Sequence, residues 1–219
     1  MTLLDFARGP ALAASFAIFT FGVGWRLLFL VLLPWSRDRS PARASAPSAL
    51  VGVLRGFARH LWPRNTFAGS ARFTTVNGYV MHLGLAIAFF AFAPHILFLR
   101  SVFGVHWPNL PSGLISVASV VTLVSLVLAL GHRLGSPVLR LISTVNDYFS
   151  WFVTALPVVT GLIAVSHLWA PYETLLAVHL LSVALLLIWF PFGKLMHAFL
   201  VFVTRSETAL HYSRRGTVL

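Results

Sequence analysis

The chain is 219 residues long, 58 % hydrophobic and only 10 % charged, with no cysteine and a formal net charge of +11. A soluble domain carries roughly a quarter charged residues, so this composition leaves too few polar groups to cover a water-facing surface. The absence of cysteine excludes disulfides, thiolate-bound iron–sulfur clusters and cysteine-linked haem in this chain, and leaves His, Met and oxygen as metal ligands.

Crossing a bilayer takes about 20 mostly apolar residues per helix. Five segments meet that test: 10–35, 78–100, 113–130, 148–169 and 174–203, each bounded by a charged, Pro-rich or Gly-rich break. No period-2 alternation points to a β-barrel, and no inverted-transporter repeat is evident. The expected fold is therefore all-α: one integral membrane domain over 1–219, a bundle of five transmembrane helices.

The first apolar run, Ala11 to Leu33, is too long for the core of a secretion signal. No small-x-small cleavage site follows before Pro34, so this run reads as a retained first helix. The long loop 36–76 begins SRDRSPARASAPSA and continues LVGVLRGFARHLW. In the second part apolar and basic residues mix at helical spacing, which reads either as an amphipathic helix on the inner membrane surface or as a solvated loop with a little helix.

That loop carries Arg37, Arg39, Arg43, Arg55, Arg59, Arg64 and Arg72. The loop after the third helix adds Arg133 and Arg140, and the tail adds Arg205, Arg214 and Arg215. All three segments fall on one side of a five-helix bundle, against Arg8, Arg100 and Glu173 on the other. The positive-inside rule then puts the basic loops and the C-terminus in the cytoplasm and the N-terminus outside. This accounts for the positive charge without nucleic acid. The partners it implies are anionic membrane lipids and a cytoplasmic subunit.

An ionisable residue within a membrane helix is costly and marks a functional candidate. His82 and His95 lie in the second predicted helix, His179 and His197 in the fifth. Residues 179 and 197 are 18 apart, five turns of one helix, so both point to one face roughly 27 Å apart along the axis. Residues 82 and 95 are 13 apart, which is not a whole number of turns. Pro94 precedes His95, and a kink there would re-aim it.

The second helix runs outward and the fifth runs inward, so topology pairs His82 with His197 in the inner leaflet and His95 with His179 in the outer one. Each pair offers two imidazoles from facing helices, the arrangement that a b-type haem requires, in a bundle core of the kind where such cofactors sit. The small residues Gly78 and Gly84 would let a flat macrocycle approach the backbone. Among the other histidines, His132 is a spare ligand, a partner for a haem propionate or an interfacial polar group. His106 and His167 fall on the outer side in or beside loops. They are either proton-handling residues of a quinol site or ordinary solvated histidines. His60 and His211 read as surface residues.

Several stretches resemble the gamma subunit of respiratory nitrate reductases, the membrane di-haem cytochrome b, and its relatives in sulfite-reductase-linked and hydrogenase-linked complexes. They are MHLG at Met81–Gly84, SPVLR at Ser136–Arg140 followed by Asp147, TGL at Thr160–Leu162, and HLLSVALLLIWFPFGKLMH at His179–His197. The likeness runs from about Asn77 to Val203. It implies five helices, an outside N-terminus, and two haem b groups between the second and fifth helices. His82 and His197 would hold the proximal haem, and His95 and His179 the distal one. It further implies oxidation of menaquinol or ubiquinol near the distal haem, electron delivery to iron–sulfur and catalytic subunits on the cytoplasmic face, and a place in a bacterial or archaeal inner membrane. The chain departs from the family pattern in three ways. The helix-two histidines are further apart, the loop after helix one is longer and more basic, and the loop VFGVHWPNLPSG lacks the lysine expected near the quinol site. Two rivals remain open: a ferric-reductase-like electron-transfer cytochrome, and a haem-free transporter or assembly factor.

Overall fold

The structure is a computed structural model and describes residues 1–33, 40–61 and 68–216. The expectations resting on Arg37, Arg39, Arg64 and the His60 side chain lie outside the described residues. Among those residues the chain is helical without strands, and five helices are long and apolar enough to cross a membrane.

The first span, α1, runs Leu3–Leu32. It opens on a capping box in which Asp5 N–H donates to the Thr2 hydroxyl (3.2 Å) and Thr2 N–H donates to the Asp5 carboxylate (2.9 Å). Pro10 has no N–H to donate, and the helix absorbs it in a π-helical turn over Ala7–Ala11. The end is set by the next residue in sequence, Pro34: Leu33 is already extended, as a residue before proline tends to be. Helix α2, Ala49–His60, lies where the amphipathic stretch was expected. Helix α3 spans Ala68–Phe90, and a short α4 covers Ala93–Phe103. Then follow α5 (Ser112–Gly135), the short α6 (Pro137–Ile142), α7 (Val145–Ser166), α8 (Tyr172–Trp189) and α9 (His197–Arg215).

The packing is inside-out relative to a soluble protein. Many residues buried between helices are small or carry hydroxyls, such as Ser15, Thr122, Ser125, Ser150, Thr160, Ser182, Ala155, Ala177 and Ala184, beside larger apolar ones such as Leu126, Val153 and Met196. The outward surface is Leu, Val and Phe, as along α5 at Leu114, Val117, Val121, Val124 and Leu128. In lipid there is no hydrophobic drive between helices, so close backbone approach and interhelical hydrogen bonds hold them together. Gly84 of α3 is pressed against Thr122 of α5. Beside it, Ser125 Oγ lies 2.9 Å from the Asn77 carbonyl, and Asn77 Nδ2 donates to the Ser125 carbonyl (3.0 Å). Trp151 Nε1 donates to the Leu126 carbonyl (2.8 Å) and ties α7 to α5.

Helix α3 thus packs on α5, α5 on α7, α7 on α8, and α8 on α1. No extensive contact joins α3 to α8 among the described residues. Outside this set, α9 packs on α2, where Gly56 lies directly against Ala209 and Gly52 meets Ser213. The apolar face of the amphipathic helix is therefore met by the C-terminal helix as well as available to a membrane surface.

Two expected helices are interrupted, and both interruptions fall beside histidines. The second span ends at Phe90, and α4 starts afresh after an extended Phe92 (φ −89°, ψ 126°), with Pro94 in its first turn. The fifth span ends at Trp189 instead of running to Val203. Pro191 cannot donate to the carbonyl four residues back and its ring crowds it. The chain turns through Phe190–Gly193 and a 3₁₀ turn at Lys194–Met196, and begins a new helix at His197. His179 and His197 are thus on separate helices, and their five-turn spacing along one helix, expected above, is corrected.

Candidate functional site

Despite both breaks, the four candidate histidines meet in two pairs, although only His82 and His179 lie in helices long and apolar enough to cross a membrane. The rings of His82 and His197 have centroids 6.0 Å apart with planes at 88°. Those of His95 and His179 are 6.1 Å apart with planes at 18°. The inner contact joins α3 to the start of α9 and the outer one joins α4 to α8, pairs of helices with no other extensive contact among the described residues.

The break after Phe90 explains how His95 arrives there. A continuous helix would leave it about 140° from the direction of His82, since 13 residues advance by about 100° each. Ending α3 frees the last carbonyls, which need partners. Three donors take them up. His95 Nδ1 bonds the Ala88 carbonyl (3.0 Å), Trp107 Nε1 bonds that of Phe90 (2.6 Å), and Leu110 N–H bonds that of Ala91 (2.9 Å). The rings of Phe89 and Phe92 flank the His95 imidazole at 5.5 and 5.2 Å.

Each of the other three ligand candidates is also held at Nδ1. His82 bonds the Gly78 carbonyl (2.7 Å), His197 the Lys194 carbonyl (2.8 Å), and His179 the Thr160 hydroxyl (3.2 Å). A carbonyl can only accept, so Nδ1 is the donor in His82, His95 and His197, and in the neutral imidazole this leaves the Nε2 lone pair free. At His179 the Thr160 hydroxyl can donate to the Leu156 carbonyl (2.9 Å) and accept from Nδ1. Gly161 lies against the same ring: a Cβ there would stand 3.2 Å from His179 Cε1. Thr160 and Gly161 belong to the TGL stretch quoted above, whose part in the site the sequence did not disclose. Its signal was a hydroxyl followed by glycine on a helix facing a histidine.

The pairs fit one kind of metal better than another. An imidazole nitrogen binds a first-row metal at roughly 2 Å, so two on opposite sides of one metal have nitrogens roughly 4 Å and centroids roughly 6 Å apart. Both pairs have that centroid spacing. Zinc takes three or four protein ligands, and no group of three or more His, Cys, Asp or Glu forms among the described residues. Two paired imidazoles without further ligands would suit a haem iron better than zinc. The Nδ1 bonds are of the kind that would fix the tautomer and orientation of metal-ligating histidines.

Other expected site residues are placed differently. Gly84 is occupied by the contact with Thr122 and gives no approach to a macrocycle, whereas a Cβ on Gly78 would meet nothing within 4 Å. His132 is exposed and packs on Phe73 (4.7 Å). His106 is exposed in the loop after α4. His167 is exposed with a left-handed backbone (φ 55°), stacks on Tyr172 at 5.1 Å, and bonds the Val165 carbonyl through Nδ1. Neither His106 nor His167 contacts the outer pair among the described residues. Lys194 is engaged by the Asp147 carboxylate at 2.6 and 2.7 Å, and Asp147 also receives Arg133 at 3.1 Å.

The chain matches no family model and no solved structure. It is similar to a protein of Nitratidesulfovibrio vulgaris described only as "Protein", 31 % identical over 214 residues that cover 96 % of this chain and 94 % of the relative.

Proposed function

We propose that this chain, which belongs to the same family as the Nitratidesulfovibrio vulgaris protein, is a multi-pass membrane cytochrome b. In this reading it is the membrane-anchor subunit of a respiratory oxidoreductase in a bacterial or archaeal inner membrane. It carries electrons, in either direction, between the quinone pool and an iron–sulfur partner on the cytoplasmic face. Terminal substrate chemistry, on nitrate, a sulfur compound or hydrogen, belongs to the partner subunits.

The observation that carries the reading is the double apposition of histidines at 6.0 and 6.1 Å across helices that are otherwise apart. His82 and His197 would hold the inner haem, and His95 and His179 the outer one. A bound haem supplies a one-electron redox centre. The chain supplies the imidazoles and orients them through their Nδ1 contacts. Orientation rests on charge. Arg43, Arg55, Arg59, Arg133, Arg140, Arg205 and Arg214 lie in or beside α2, α6 and α9, and by the positive-inside rule that end would face the cytoplasm. His167 has Nδ1 on the Val165 carbonyl, so if it handled a quinol proton Nε2 would be the atom to take it.

The test is anaerobic addition of a quinol to the purified protein, followed in the visible haem bands. Reduction by quinol supports the reading. Bands that dithionite reduces and quinol leaves oxidised would remove the quinone pool from it.

A further inference from the structure

The four ligand-orienting contacts are not equally secure. The Gly78 carbonyl lies inside α3, and the Ala88 carbonyl lies in its last turn, so the helix itself fixes both. The Lys194 carbonyl, which orients His197, lies on a 3₁₀ turn of Lys194–Met196 between two helices. Such a turn has little internal hydrogen bonding to hold it.

This turn is tethered to the start of α7 instead. Lys194 N–H donates to Asn146 Oδ1 (3.0 Å), on the same peptide-bearing residue whose carbonyl receives His197. The Lys194 ammonium reaches both oxygens of Asp147 (2.6 and 2.7 Å). Asp147 is only 6 % exposed and is itself held by Arg133 (3.1 Å) and by the Thr144 N–H and hydroxyl (both 2.9 Å). One turn further on, Ser150 accepts from Trp189 Nε1 (3.0 Å) and lies 3.2 Å from Asn146 Oδ1. Gly193 fits only because it has no side chain, since Trp189 is folded directly over it.

We propose that Asn146 and Asp147 are positioning residues for the inner haem, acting on His197 through Lys194. The proposal rests on the di-haem reading for its cofactor but on the described contacts for its mechanism. Helix α7 thereby serves both sites: Thr160 at one end orients His179, and Asn146 and Asp147 at the other orient His197.

The experiment compares Asn146→Leu, which removes the acceptor for Lys194 N–H, with Asn146→Asp, which keeps an acceptor oxygen, and adds Asp147→Asn. Haem titration and low-spin ferric resonance signals are recorded on the full-length protein. The expected result is a roughly 10-fold or greater loss of haem affinity at the inner site in Asn146→Leu, an intermediate effect in Asp147→Asn, and recovery in Asn146→Asp. The outer site serves as the internal check, because misfolding removes both. An unchanged inner site in Asn146→Leu would overturn the proposal. The same variants prepared without haem and labelled with ¹⁵N-histidine read His197 directly. Loss of its single Nδ1–H tautomer in Asn146→Leu supports the tether, and an unchanged tautomer contradicts it. A wild-type protein that takes up no haem refutes the functional reading while leaving this second readout intact.

Discussion

The rings of His95 and His179 lie 6.1 Å apart and within 18° of parallel, although a helix break separates His95 from the span that carries His82. Because each pair draws one residue from either side, the sites are separable. His95→Ala should lose about one haem of two and keep the inner signal, and His82→Ala should do the reverse. The different plane angles, 88° and 18°, make the two ferric signals distinguishable. Retention of both haems in either variant contradicts the pairing.

Thr160 and Gly161 act on the outer pair alone. Thr160→Val keeps the volume and deletes the hydroxyl facing His179 Nδ1. Losing an outer-shell partner of this kind costs roughly 10–100-fold in metal affinity. Gly161→Val pushes a side chain into the imidazole. Haem titration of both variants should show a weakened outer site beside an intact inner one. Equal loss at both sites would mean that the effect is on folding.

Pro94 and Trp107 maintain the break that aims His95. Pro94→Ala restores an N–H that a continuous helix would direct to the Phe90 carbonyl. Trp107→Phe removes the indole donor that now occupies it. The double variant should favour a continuous helix and turn His95 away, lowering outer-haem occupancy. Full occupancy would show that the loop and proline are not what holds the break.

Gly84 tests the helix contact as distinct from the cofactor. Gly84→Leu forces α3 from α5 at Thr122, and overpacking of this kind costs about 1–3 kcal/mol. Thermal unfolding should fall while the ratio of the two haems stays even. Selective loss of the inner haem would instead place Gly84 beside the macrocycle.

The spans were legible because about 20 apolar residues in a row have few alternatives. Their ends were not. Arg100 and Val203 were expected to close the second and fifth helices, but Pro94 and Pro191 act with distant partners. The first break is stabilised by Trp107 and Leu110, and the second by Asn146, Asp147 and Ser150. None of these partners is signalled by local pattern. The pairing of the histidines followed from topology and basic loops alone, which is why it does not depend on the helix-five spacing that the structure replaces. Gly84 was read as room for a ligand because a glycine does not announce which neighbour it admits.

The most direct measurement is a reduced-minus-oxidised spectrum of the purified full-length protein with a haem count per chain. The account predicts b-type bands and about two haems per chain, falling to about one in His82→Ala and in His95→Ala. A spectrum without b-type bands, from protein that is folded and membrane-inserted, would contradict it.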